Sequence, residues 1–442
     1  MVDDKALISQ NQQHELDEVE YRAFVNQHGE PCPSPKQLAW QDMELGMFIH
    51  FGINTFHDLE WSDGTLDPAT FNPVQLDCNQ WIATARDLGA RYAVLTVKHH
   101  DGFCLWQTET TDYSVQNSPW KDGKGDVVRE FIDACKLAGM NAGLYLSPWD
   151  RHEPCYPDKE AYDDFYINQL SELLTGYNAD LTELWFDGAG SAGREYDWER
   201  IIKICRKYQP GAVIFNMGQP DIRWAGNENG IAPYPLWNMV HKREHGGVKE
   251  SRHGYTWMPA EANKPIRYHT WFYNSGNEYA LSPVEELMKC YIMSVGRGAN
   301  LLLNIAPGRD GLIPSADRAV AREFGSTMRA LFDKPLNIAS GNASRVTLEF
   351  KNPTLINCIE IHENLSKGQR VKAFKVTSGG GGTKEILVEG LTVGHRKIDL
   401  IPETTVSTLT LEMDSIMGIP SIKSFAAHYD PEFGILREYI ED

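Results

Sequence analysis

From Met47 to Phe332 short apolar runs alternate with segments of helical period, and this alternation restricts the fold more than any other feature of the chain. Met47–Phe51, Tyr92–Val97, Asn141–Leu146, Glu183–Asp187, Ala212–Asn216 and Asn300–Ile305 read as strands, rich enough in apolar residues for a parallel sheet covered on both faces. Asn79–Leu88, Asp126–Leu137, Ala161–Thr175, Tyr196–Lys207, Pro283–Val295 and Ala316–Phe332 read as helices. Asp126 is placed as an N-cap, and Gly89, Gly139 and Gly176 as stops. Such alternation implies right-handed crossovers on a parallel sheet. The irregular stretch 220–280 has room for one or two further strands. The expected fold is therefore α/β, a (β/α)8-like barrel of TIM type, complete or incomplete. No G-x-G-x-x-G follows the first strand, so a doubly wound dinucleotide fold is the weaker alternative.

Outside this core, residues 1–45 read as a polar helical lead-in and a connector holding Pro31, Pro33 and Pro35. Beyond about residue 338 the period changes to two. Val346–Phe350, Ile356–Ile361, Val371–Val376, Glu385–Val388, Lys397–Ile401 and Val406–Glu412 are short alternating runs separated by turn residues, including the Gly379–Gly382 tract. This predicts a C-terminal β-sandwich. The expected division is a catalytic barrel over 1–337, lead-in included, and a sandwich over 338–442, by default a structural brace.

Net charge decides which ligands suit the chain. At −19 it lacks the basic footprint of a nucleic-acid binder, and anionic membrane surfaces repel it. No apolar run reaches 18 residues, so no membrane insertion is expected. The first 25 residues hold no signal-peptide core. The expected location is periplasmic or secreted if a signal was removed, and otherwise cytoplasmic. Twelve tryptophans supply faces that can stack on sugars. Eight cysteines form no C-x-x-C pair and read mostly as buried thiols.

The barrel strands exit into polar clusters. The first gives His50-Phe-Gly52, then Glu60-Trp61. The second gives Lys98-His99-His100-Asp101, the third Tyr145 and Ser147-Pro-Trp149-Asp150, the fourth Asp187, and the fifth Asn216 and then Asp221 to Glu228. Several polar exits converging on one rim are what a barrel active site requires. Asp187 alone has a plain alternative as a helix N-cap. Glu228 has rivals in Glu195, Glu261 and Glu278. His99 and His100, being adjacent, face opposite sides if the strand continues through them. A His-His-Asp run also suggests a metal, but no H-x-H or H-E-x-x-H accompanies it. His241 and His245 flank Lys242-Arg-Glu244 and read as a solvated helix face. Neither metal nor cofactor is expected.

Five of these segments together resemble the family 29 glycoside hydrolases, the α-L-fucosidases: His50-Phe-Gly52, Lys98-His-His-Asp-Gly-Phe103, Gly143-Leu-Tyr-Leu-Ser147, Trp185-Phe-Asp-Gly188 and Trp271-Phe-Tyr-Asn274. They occur in the family's order over roughly residues 40–340, and the sandwich also suits the family. The resemblance implies a retaining exo-α-L-fucosidase with Asp187 as nucleophile and a fucosylated oligosaccharide or glycoconjugate as partner. Asp221-Ile-Arg-Trp-Ala-Gly-Asn-Glu228 resembles the branch acting on α-1,3 and α-1,4 linkages, which implies Glu228 as acid/base. It also implies that His50, His99 and His100 hold the sugar hydroxyls. Glu60, Trp61, Tyr145, Trp149 and Trp271 are further pocket candidates, with Arg223 positioned to orient Glu228 or keep a carboxylate charged. Retention needs the two carboxyl groups about 5–5.5 Å apart. Other readings are a fucosidase of broader linkage range, a catalytically silent fucose-binding protein and a metal-dependent barrel hydrolase.

Overall fold

The computed structural model describes residues 16–241, 244–245, 248–249, 254–268, 270–277, 280–379 and 385–441. Asp17 caps α1 (Glu18–His28), and Ser34 opens α2 (Pro35–Gln41) with a capping box and Pro35 in its first turn. Pro35 therefore starts a helix, where the sequence had suggested a connector.

Eight parallel strands follow: β1 (Leu45–Ile49), β2 (Tyr92–Lys98), β3 (Asn141–Leu146), β4 (Leu181–Trp185), β5 (Val213–Phe215), β6 (Arg223–Trp224), β7 (Ala260–Pro265) and β8 (Asn300–Asn304). They pair in the order β5-β4-β3-β2-β1-β8-β7-β6. A parallel bridge between Phe215 and Ile222 brings the two end strands together, so the barrel nearly closes. β6 and β7 are the barrel strands that the irregular stretch 220–280 conceals.

Helices α3 (Cys78–Leu88), α4 (Val127–Ala138), α5 (Lys159–Gly176), α6 (Trp198–Tyr208), α7 (Val284–Ser294) and α8 (Ser315–Phe332) follow β1, β2, β3, β4, β7 and β8. Asp126 caps α4 through its side chain, and Gly139 ends it at φ 66°. Gly176 lies inside α5 instead of stopping it. No helix follows β5 or β6 among the described residues. α2 packs near β5 instead. Its Lys36 Nζ reaches Asp221 Oδ2 at 2.9 Å, and Gln37 Nε2 donates to the carbonyls of Asp221 and Trp257 at 2.7 and 3.0 Å. His241 and His245 are not on a helix. Residues 244–245 pair with 248–249 as short strands, and 242–243 lie outside the described residues.

The barrel interior is aromatic: Phe48, Tyr92, Tyr145, Trp185 and Phe215 fill it, and Trp40 from α2 joins the same cluster. The larger core lies between the strands' outer faces and the helices.

The C-terminal β-sandwich is built from one antiparallel sheet in the order β9-β14-β10-β13-β11-β12. Its strands are β9 (Asn337–Gly341), β10 (Arg345–Glu363), β11 (Val371–Gly379), β12 (Glu385–Gly390), β13 (Lys397–Ser415) and β14 (Ile422–His428), with α9 (Pro431–Glu441) after them. β10 and β13 each join two runs that the sequence suggested as separate strands. Register shifts at Glu349/Thr354 and Ile356/Cys358 let them continue through Pro353 and Pro402. Most of the glycine tract lies outside the described residues. The sandwich meets the barrel through Arg396, whose Nη1 lies 2.8 Å from Glu44 Oε2 and Nη2 3.1 Å from Glu360 Oε1.

Candidate active site

A cavity of about 620 Å³ opens at the C-terminal ends of the barrel strands. His50, His99, His100 and Asp187 line it from the exits of β1, β2 and β4, with Glu60 and Trp61 from the loop after β1. Glu228 lines it from beyond β6, and Trp271 from beyond β7. β2 stops at Lys98, so the two histidines after it leave the alternation of the strand and both face the cavity, with ring centroids 4.1 Å apart.

Asp187 stands two residues past the end of β4. Tyr145 Oη donates to its Oδ2 at 3.2 Å and the Ala189 N–H to its Oδ1 at 2.8 Å, so both oxygens are oriented. It caps no helix: Asp197 is the N-cap of α6. Gly190 follows at φ 69°, and a Cβ there would lie 2.0 Å from the Trp149 ring, so glycine lets that indole pack against the loop.

Burial holds the three cavity histidines below their ordinary pKa. His50 is pushed down to about 3 despite its bond to Asn304. His99 falls well below, helped by His100 and His50, and His100 is also lowered although Asp187 opposes the shift. Neutral imidazoles offer one donor and one acceptor each, which suits sugar hydroxyls. The networks fix the tautomers. Asn304 Nδ2 donates to the Trp271 carbonyl at 2.7 Å, so its Oδ1 accepts from His50 Nδ1–H at 2.8 Å. Ser147 Oγ donates to the Trp149 carbonyl at 2.7 Å and so accepts from His100 Nδ1–H at 2.7 Å. His50 and His100 thus keep Nε2 as an acceptor, and that of His100 lies 3.6 Å from Asp187 Oδ2.

Glu60 Oε2 accepts the Trp271 N–H at 2.8 Å. Burial raises its pKa to about 7; the N–H groups of Trp271 and Phe272 oppose the rise, and the nearby Glu228 adds to it. A carboxyl raised in the folded state binds more protons there than in the unfolded chain between about pH 4.5 and 7, so stability falls as pH rises through that window. Glu60→Gln is expected to remove this loss, so the gain in Tm of the variant over the parent should be larger at pH 8 than at pH 5. A gap that does not change with pH contradicts it.

Three sequence candidates do not line the cavity. Tyr145 lies beneath it and acts on Asp187. Trp149 stands behind His100 and Trp61, with ring centroids at 5.0 and 5.5 Å. Arg223 does not face the cavity as expected. Its neighbour on β6, Trp224, does, so Arg223 points the other way, and its Nη2 donates to the Trp237 carbonyl at 2.8 Å. Of the rivals to Glu228, Glu195 is exposed away from the cavity, Glu261 is buried inside the barrel, and Glu278 lies outside the described residues.

The sequence reading missed Phe48, Trp185 and Phe215 on the cavity floor and Trp224, Lys264 and Tyr268 on its wall. Floor residues could have been found from strand alternation alone, since Phe48 is the inward neighbour of His50. The loop bearing Trp271 is held by Arg267, whose Nε donates to buried Asp317 on α8 at 2.8 Å and whose Nη1 donates to the Asn277 carbonyl at 2.8 Å. Arg267→Ala strands a buried carboxylate and is expected to lower the unfolding free energy by about 3–5 kcal/mol in a denaturant titration.

Away from the cavity, Glu44, His362 and His395 bring possible metal-ligand atoms within 4.8 Å of one another. Arg396 already pairs with Glu44, and His395 Nε2 lies 2.9 Å from Asp42 Oδ1, so this cluster is an ion-pair hub between barrel and sandwich. No helix among the described residues is long and apolar enough to cross a membrane.

The α-L-fucosidase family profile matches residues 57–331. The chain is 36% identical over 455 aligned positions to Alpha-L-fucosidase 1 of Arabidopsis thaliana, covering 92% of this chain and 89% of the relative. Among solved structures it resembles a putative α-L-fucosidase from Bacteroides ovatus, with TM-score 0.84, 36% identity, and 90% and 74% of the two chains covered. It also resembles a family 29 fucosidase of Ruminococcus gnavus solved in complex with fucose, with TM-score 0.82, 29% identity, and 91% and 96% covered. With a profile match across most of the barrel and relatives aligned over nearly the whole chain, the protein belongs to the family 29 glycoside hydrolases, the α-L-fucosidases.

Proposed function

We propose that the protein is a retaining exo-α-L-fucosidase that removes terminal α-1,3- and α-1,4-linked L-fucose from glycans, with Asp187 as nucleophile and Glu228 as acid/base. The observation that carries this reading is one cavity lined by both Asp187 and Glu228 and walled by three neutral histidines. Asp187 attacks the anomeric carbon while Glu228 protonates the departing glycosidic oxygen, which leaves a fucosyl ester on Asp187. Glu228 then deprotonates a water, the water attacks the same carbon, and Asp187 departs with the original anomeric configuration restored. His50 and His100 accept from fucose hydroxyls at Nε2, and the faces of Trp271 and Phe48 suit the apolar C6 methyl side of the sugar.

The linkage preference rests on the Asp221–Glu228 segment, and the half-exposed Trp61 and exposed Tyr268 at the rim offer faces to the sugar that carries the fucose. The division at 337/338 belongs to the same reading, with the sandwich bracing the barrel through Arg396 and His395. The test is incubation with an aryl α-L-fucoside and with 2-, 3-, 4- and 6-linked fucosyl oligosaccharides, reading the first-released anomer by NMR. Rapid cleavage of the 3- and 4-linked substrates with initial α-fucose is the expected result. Turnover of only the aryl and 2-linked substrates refutes the linkage assignment, and initial β-fucose refutes retention.

A further inference from the structure

Below the cavity floor the barrel interior holds two carboxyl groups that the proposed chemistry does not use. Glu183 on β4 and Glu261 on β7 are wholly buried and close enough for each to act on the other's ionisation. Their donors are unequal. Glu261 accepts on both oxygens, from the Trp185 indole N–H at 3.0 Å and the Tyr92 hydroxyl at 2.8 Å. Glu183 accepts only the Trp40 indole N–H, at 3.0 Å on Oε2, and no donor among the described residues reaches its Oε1. Glycines make room for the group: a Cβ on Gly46 would lie 2.4 Å from the Tyr92 ring, and one on Gly143 3.2 Å from the Glu183 Cβ.

Two carboxylates in one dry site cannot both ionise, and the group with more donors keeps the charge. We infer that at pH 8 Glu183 carries a proton and donates it from Oε1 to Glu261, and that the single charge on Glu261 fixes the Trp185 indole and hence the floor of the fucose pocket. Burial pushes Glu183 well above the ordinary range and Glu261 to about 7, the same order that the donor sets give. Trp185 passes the constraint upward. Its ring stacks on Phe215 at 4.1 Å and meets Tyr145 edge-on at 5.2 Å, and the Tyr145 hydroxyl holds Asp187. Glu261 is therefore a positioning residue that acts through Trp185. Its role in turnover rests on the proposed function; the location of the proton does not.

The two isosteric amides separate the partners. Glu183→Gln mimics an un-ionised acid and should leave kcat/KM on an aryl α-L-fucoside within about threefold of the parent. Glu261→Gln places an NH2 against a donor and should lower it roughly tenfold or more. Infrared difference spectra at pH 8, parent minus Glu183→Gln, should show the carbonyl stretch of one un-ionised carboxylic acid. Absence of that band overturns the inference, as does equal loss of activity in the two variants. A parent inactive on every fucoside, with the band present, refutes the proposed function and leaves the proton on Glu183.

Discussion

Asp187→Ala is expected to lower kcat on an aryl α-L-fucoside by on the order of 10⁴-fold or more, the scale seen when a covalent nucleophile is removed. Among the described residues Asp187 accepts hydrogen bonds from Tyr145 and Ala189, both uncharged donors, so its removal leaves no buried charge unpaired and folding should survive. The loss should fall on kcat and persist with a good leaving group, because the first step needs the nucleophile whatever departs. Added azide has room to attack from the vacated side, and the product should then be the fucosyl azide of inverted configuration. Near-parent turnover in the variant removes Asp187 from the mechanism.

Glu228→Ala should behave differently, and the contrast is more informative than either loss alone. General acid catalysis contributes typically about 10²–10⁴-fold, but only where the leaving oxygen needs a proton. Turnover of fucosyl oligosaccharides is expected to fall by that range. An aryl fucoside with an acidic phenol should lose far less in forming the ester, and the basic limb of its pH profile should flatten. Glu60 supplies the control: it shares the cavity and its pKa is raised to about 7, so an acid/base at that position instead would leave Glu228→Ala nearly as active on glycans as the parent.

The barrel is legible in the sequence where a strand's inward and outward faces are both apolar. β1, β2, β3, β5 and β8 are largely of this kind, and β4 follows them because Leu181, Leu184 and Trp185 outweigh its one buried carboxyl, Glu183. β7 is not: Ala260-Glu-Ala-Asn-Lys-Pro265 is buried along its length but turns Glu261 and Asn263 into the barrel, so its pattern reads as loop. β6 has only two residues, too short for any period. These two gaps also hid a geometric point. Asp187 and Glu228 do not leave adjacent strands, as the sequence suggested; β5 stands between β4 and β6. The cavity histidines were readable because they follow apolar strands directly. Arg223 stands on the two-residue β6 beside cavity-lining Trp224 and sends its guanidinium to the Met258 and Trp237 carbonyls, a placement that its distance from Glu228 in sequence does not reveal. Trp185 and Phe48 were legible as core but not as cavity floor, because the same inward face serves both.

The absence of a helix after β5 bears on how the protein can vary. In most of the barrel a strand is positioned from outside, by the helix that packs on it, and changes in the helical shell shift the strand end. From β5 to β6 the chain turns back within residues 216–222, with Asn216 in a left-handed conformation at φ 67° and main-chain bonds from Asn216 to Ile222 and from Asp221 to Ile214. The arc of the rim between Asp187 and Glu228 is thus set by backbone bonds inside the sheet and by three helix side chains, Lys36 and Gln37 of α2 and Arg206 of α6, that converge on Asp221. Substitutions in the rest of the helical shell can accumulate without moving this turn, whereas changes at Lys36, Gln37 or Arg206, or a one-residue insertion between 216 and 222, would shift the spacing proposed for Asp187 and Glu228.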